Sequence, residues 1–183
     1  NGDGSEDIAI GAAGSDAVGL DNGLVWILFL DPDPLFPGRV VGELALGKGL
    51  HGSPTWSTPS ENFCLGLAPL GDLDGDGVTD LAVGGDPGFS NSSLGGRVWI
   101  LFLNGDGTVK SFGQIAEGVG GFPVDLGQWD RFGIEIEPLG DLDVNGATDI
   151  AVGAYGDEDG YGVGTGAVYV LFLESDGTVK AYQ

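Results

Sequence analysis

The sequence predicts an all-β chain built from small antiparallel sheets repeated in tandem, and three observations carry that prediction. Glycine supplies 37 of 183 residues, scattered between apolar runs without a three-residue period, which reads as many tight turns and not as collagen. Nearly every long window is broken by Gly or Pro within about ten residues, so helices of useful length find no room. Two different apolar motifs each occur three times at a nearly fixed spacing, the mark of a repeat architecture.

The first motif reads DIAIGA at 7–12, DLAVGG at 80–85 and DIAVGA at 149–154. The second reads GLVWILFL at 23–30, GRVWILFL at 96–103 and GAVYVLFL at 166–173. Offsets of 73 and 69 residues for the first set, and 73 and 70 for the second, show two motifs keeping one period. A third motif, PLGDLD, precedes the first at 69–74 and 138–143. A fourth follows the second as GDGTVK at 105–110 and SDGTVK at 175–180, where the first copy has the Pro-rich stretch 31–38.

Each complete unit therefore predicts four short strands. Strand A is expected over 63–70 and 132–139, and strand B in the Asp-Ile-Ala-Val-Gly segment. Strand C is the Val-Trp-Ile-Leu-Phe-Leu run, and strand D starts at Thr-Val-Lys. The C runs are apolar at consecutive positions, as a strand covered on both faces requires. The NGDG at 104–107 and SDG at 175–177 supply hairpin turns between C and D. Tandem four-stranded antiparallel sheets that pack face to face are the blades of a β-propeller. The expected division is a first blade at 1–62 lacking strand A, a second at 63–131 and a third at 132–183.

Charge narrows the partners. With 28 acidic residues against 6 basic ones, the formal net charge is −22, which repels nucleic acid and anionic membranes. Much of it lies in short Asp-Gly clusters, a pattern that favours bound divalent cations, with a salt-adapted surface as the alternative. At 42% hydrophobic residues the chain has enough apolar mass for a core. Cys64 stands alone, so no intrachain disulfide forms, and its apolar setting reads as a small buried hydrophobe. The chain starts at Asn1 and contains no Met, which predicts a processed chain or a piece of a longer one. No apolar run approaches the roughly 20 residues of a membrane span, and none reads as a signal peptide.

The segment between strands A and B carries the chemistry. DLDGDGVTD at 72–80 places carboxylates at loop positions 1, 3, 5 and 9, namely Asp72, Asp74, Asp76 and Asp80. Gly77 at position 6 allows the sharp bend, and the Val78 carbonyl at position 7 completes an oxygen shell of the kind that closes on Ca²⁺. The next repeat keeps the spacing with Asp141, Asp143, Asn145, the Ala147 carbonyl and Asp149. The first retains only Asn1, Asp3, Ser5 and Asp7, matching positions 3 to 9. Asp-Gly clusters also make good turns without any ion, and the NGDG at 104–107 is such a turn. Four carboxylates in nine residues repel one another without a cation, so calcium is the expected cofactor. Magnesium, with its partly hydrated octahedral shell, fits less well.

At these residues the chain resembles a known family. Phe132-Gly133, the carboxylate loop and Gly153-Ala154 resemble the FG-GAP repeat of integrin α-subunit propellers and their secreted bacterial relatives, over essentially the whole chain. The resemblance implies a structural metal bracing the A–B hairpin on one rim, with recognition loops on the opposite face. It also implies an extracellular or cell-surface setting. Several positions depart from the pattern. Cys64 replaces the Gly of one Phe-Gly pair, Gly85 replaces the Ala of one Gly-Ala, and Ala13, Asp86 and Tyr155 stand where the motif has Pro.

Propellers need about four to eight blades, so this chain does not close a ring alone. Strand A of the first blade is expected from residues before Asn1, from beyond Gln183, or from another copy. Strand donation between copies would build a ring or a filament.

No catalytic constellation is visible. His51 is the sole histidine, on a connecting loop expected to be exposed. Ser–His or Cys–His chemistry therefore has little support. The acidic stretches 125–130 and 157–160 read as solvated loops, and Asn91-Ser-Ser fits a glycosylation sequon. The expected function is a calcium-binding extracellular adhesion or structural module without enzymatic activity, associating with itself or with a protein. The alternative is a carbohydrate-binding or accessory module of a larger secreted protein, with Trp56 and Trp129 available to stack on sugar rings.

Overall fold

A computed structural model describes residues 3–57, 61–86, 95–158 and 165–183. Eleven strands and no helix are present among them. The first sheet comprises β1 (Ile8–Ala12), β2 (Leu24–Leu30) and β3 (Val40–Leu46) in the order β1-β2-β3. The second is β4 (Leu67–Gly71), β5 (Asp80–Gly85), β6 (Arg97–Leu103) and β7 (Val109–Ile115), again in chain order. The third is β8 (Ile136–Gly140), β9 (Asp149–Ala154), β10 (Ala167–Leu173) and β11 (Val179–Tyr182). Every pairing is antiparallel between sequence neighbours. The sheets are the blades of a partial β-propeller, and the first lacks strand A as its sequence predicts.

Side-chain alternation along β6 explains why its apolar residues are continuous. Val98, Ile100 and Phe102 enter the core shared with the third blade, while Trp99, Leu101 and Leu103 enter the core shared with the first. Period-two alternation puts successive residues on opposite faces, so a blade with a neighbour on each side needs apolar residues at every position.

Strand A is shorter than the sequence predicts, beginning at Leu67 and Ile136 instead of 63 and 132. The Phe-Gly pair is not in the strand but in a kink before it. Asn62 and Cys64 in one blade, and Arg131 and Gly133 in the next, all have φ between +48° and +96°. Cys64 thus occupies the left-handed conformation that its glycine counterpart adopts without steric cost. The kink buries Phe63 and Phe132 completely and stacks them on Trp56 and Phe122, with ring centroids 5.1 and 4.9 Å apart. Trp56 is therefore a core residue, its Nε1 donating to Asn22 Oδ1 at 2.8 Å, and is not available to stack on a sugar.

The same kink seals blade to blade through main chain. The Phe63 amide donates to Asn22 O at 3.0 Å and the Phe132 amide to Gly95 O at 2.8 Å, each crossing to the preceding blade. A Cβ on Gly84 would lie 1.8 Å from the Gly133 carbonyl oxygen, and one on Gly96 would lie 2.2 Å from that of Phe132. These glycines permit backbone-to-backbone approach between neighbouring sheets.

Candidate metal centre

The A–B loop is shaped by local hydrogen bonds that recur in every blade. The position-5 side chain accepts from the position-7 amide: Val78 N to Asp76 Oδ1 at 2.9 Å, Ala147 N to Asn145 Oδ1 at 2.8 Å, and Ser5 N to Asp3 Oδ1 at 2.8 Å. Position 1 then closes the bend, Asp72 Oδ2 accepting from Gly77 N and Asp141 Oδ2 from Gly146 N, both at 2.9 Å. Gly4, Gly77 and Gly146 all take positive φ there. At position 4, Gly75 has φ +82° but its counterpart Val144 takes +59°, an unfavourable conformation for a β-branched residue.

Position 9 has a role that spacing alone did not reveal. Asp80, fully buried, accepts from the Leu73 amide at 3.0 Å and the Leu103 amide at 2.9 Å. Asp149 does the same with Leu142 at 2.8 Å and Leu173 at 2.9 Å, and Asp7 accepts from Leu30 at 2.9 Å. Each carboxylate thus ties strand B to the end of strand C, and in the second and third blades to the A–B loop as well. Burial pushes the Asp80 carboxyl above its ordinary value, the Leu103 and Leu73 amides pull it down, and nearby Asp74 adds to the rise.

Asp72, Asp74 and Asp80 converge, one carboxylate oxygen from each lying within 4.8 Å of the others. Asp141, Asp143 and Asp149 form the equivalent group in the third blade. Both groups could hold a metal ion. Asp76 stands apart from its cluster: Lys110 and the Val78 amide hold it, and together they keep its carboxyl below the usual range. Asn145 donates its amide to Leu173 O at 2.7 Å. Val78 packs against the core between the first two blades, and Ala147 lies in the core between the second and third. In the first blade Asp3 and Asp7 belong to no three-carboxylate group among the described residues, and Asn1 lies outside those residues. The donor sets suit a hard divalent cation, being all oxygen and mostly anionic. In the third blade Asp143 Oδ1 is buried without a hydrogen-bond partner, leaving an acceptor that a cation would satisfy.

One lysine completes each of these two loops, and neither was anticipated. Lys110 Nζ lies 2.6 Å from Asp74 Oδ2 and also bonds Asp76. Lys180 Nζ lies 2.8 Å from Asp143 Oδ2. The sequence signal was the repeated Thr-Val-Lys at the start of strand D.

Elsewhere, burial pushes the Cys64 thiol up to about 12, leaving it inert, while His51 is exposed on its loop. Asp130 and Asp157 are not solvated as expected. Both are buried, Asp130 accepting from the Gly127 amide at 2.6 Å and Asp157 from the Tyr169 hydroxyl. Asp125 is exposed. Asn91 and the end of the 157–160 stretch lie outside the described residues.

Propeller blades with an acidic A–B loop define the class, and residues 67–101 match the FG-GAP repeat. The chain is an integrin-like FG-GAP repeat protein. It is 32% identical over 161 residues to human integrin alpha-IIb, a match covering 85% of this chain and 14% of that protein. Mouse integrin alpha-X is 35% identical over 100 residues, which is 55% of this chain and 8% of that protein. Integrin alpha-5 of Xenopus laevis is 31% identical over 165 residues, at 85% and 14% coverage. The chain spans between 8% and 14% of the length of these relatives.

Proposed function

We propose that the chain is a calcium-braced, non-enzymatic propeller module of extracellular adhesion type, its blades at 1–62, 63–131 and 132–183. Calcium is held by Asp72, Asp74, Asp76, the Val78 carbonyl and Asp80 in the second blade. Asp141, Asp143, Asn145, the Ala147 carbonyl and Asp149 hold it in the third, and Asn1, Asp3, Ser5 and Asp7 contribute to a partial site in the first. The observation that carries this reading is the recurrence of one three-carboxylate cluster at the same place in successive blades. When bound, a divalent cation would neutralise the clustered carboxylates and brace the A–B hairpin.

The partner reading rests on the first blade. Among the described residues strand β1 pairs only with β2, and beside it a cleft of about 890 Å³ is lined by Ala9, Ile27, Phe29, Leu67, Leu81 and Leu103 among others. An added strand there would complete the blade, supplied by the rest of a longer propeller or by a second copy. The carbohydrate alternative retains only Trp129, which is 56% exposed.

Melting the chain in calcium and in chelator tests the metal reading. At free calcium near 100 times the dissociation constant, binding adds about 2.7 kcal/mol, which raises Tm by roughly 5–10 °C for a chain of this size. Identical melting curves would defeat the reading.

A further inference from the structure

We propose that Lys110 and Lys180 are internal counter-ions that compete with the divalent cation, stabilising each loop without metal and lowering its calcium affinity. The inference rests on the reading of these loops as cation sites.

Strand register is the first observation. Leu30 pairs with Val40, Leu103 with Val109 and Leu173 with Val179, each just after a register shift in the C–D hairpin. The residues that follow are Val41, Lys110 and Lys180, which are therefore equivalent. Both complete blades carry lysine at this position, and the first blade carries valine. The chain has only 6 basic residues against 28 acidic ones, so placing two of the six at one register position ties them to the loops they face.

Contact geometry is the second. Lys110 joins Asp74 and Asp76, and Lys180 takes Asp143 Oδ2 while Asp143 Oδ1 stays buried and unpaired. Each ammonium thus grips a carboxylate that also belongs to the three-oxygen cluster. A cation among those oxygens would share a carboxylate with the ammonium, and a double and a single positive charge so placed repel strongly even near a surface. The lysine must withdraw or the cation must bind against its field, and either way affinity falls. Without the cation, the same ammonium offsets the mutual repulsion of the loop carboxylates. Lys110 pairs directly with two carboxylates and Lys180 with one, so the second-blade site is the more strongly affected.

Calorimetric titration of the whole chain with calcium chloride tests this, using Lys110→Met, Lys180→Met and Lys110→Arg. Lys110→Met is expected to tighten calcium binding at one site by about tenfold or more and to lower Tm in chelator. Lys180→Met should tighten it less, and Lys110→Arg should stay within about twofold of the parent. Should the methionine variant fail to fold, Lys110→Gln removes the charge with a polar head retained. Unchanged or weakened affinity in the neutral variants overturns the proposal, since a lysine that merely orients Asp74 would weaken binding when lost. A parent chain that takes up no calcium overturns the cation reading itself, and this inference with it.

Discussion

Val144 sits at position 4 of the third-blade loop with φ +59° and its side chain almost wholly in solvent. Nothing in its packing compensates for the crowding between Cβ and backbone that a left-handed residue incurs, roughly 1–2 kcal/mol. Asn tolerates this region better through its short polar side chain. Val144→Asn is expected to stabilise the chain by about 0.5–1 kcal/mol, read as a higher urea midpoint at unchanged m-value. A second local departure has a clear cause. Gly85 stands where the other blades have Ala12 and Ala154, and a Cβ there would lie 2.8 Å from Glu61 Oε1. Glu61 is fully buried and ion-paired with Arg97, whose Nε lies 3.0 Å from Oε1. An alanine at 85 would force the Glu61 carboxylate to shift from its present position.

At the scale of the element, the A–B–C unit is locked by its position-9 aspartate. Asp80 accepts two backbone amides in a buried setting, and removing a charged acceptor leaves both unsatisfied. Asp80→Ala is expected to cost about 3 kcal/mol, measured by denaturant unfolding in chelator so that loss of a metal ligand makes no contribution. Asp80→Asn keeps one acceptor oxygen and should lose about half as much. The turn formed by the Asp-x-Asp-x-Asp/Asn spacing was legible in sequence because the hydrogen bonds that shape it are local. The lock was not, because Leu103 and Leu173 lie more than 20 residues from their aspartates in sequence. Strands B, C and D were legible from periodicity and turn chemistry. Strand A was placed too early, since an apolar Phe before a run of Leu reads as strand whether the backbone is extended or kinked. Trp56 was misread for a related reason: a tryptophan between strands looks exposed until the Phe63 ring that covers it is placed.

Across the whole molecule, the middle blade is covered on both faces and the outer two on one. Ile8 and Ile10 are 44% and 45% exposed, whereas their second-blade counterparts Leu81 and Val83 are buried. On the far side of the third blade Val168 is 68% exposed, while its counterpart Val98 is buried between sheets. The two open faces are related as successive repeats, so the surface of one suits the surface of the other in a heterologous, head-to-tail manner. Light scattering at micromolar concentration should therefore show association of this chain. Ile10→Lys is expected to reduce it while leaving the far-ultraviolet dichroism unchanged. A monomer that the lysine variant does not alter would defeat the self-association reading.

The main-chain seam at Gly84 and Gly133 has a corollary. Because the angle at which one wedge meets the next is dictated by peptide groups in direct contact, it does not depend on which amino acids decorate the exposed loops. Substitutions in those loops should therefore leave the rotational step from repeat to repeat unaltered.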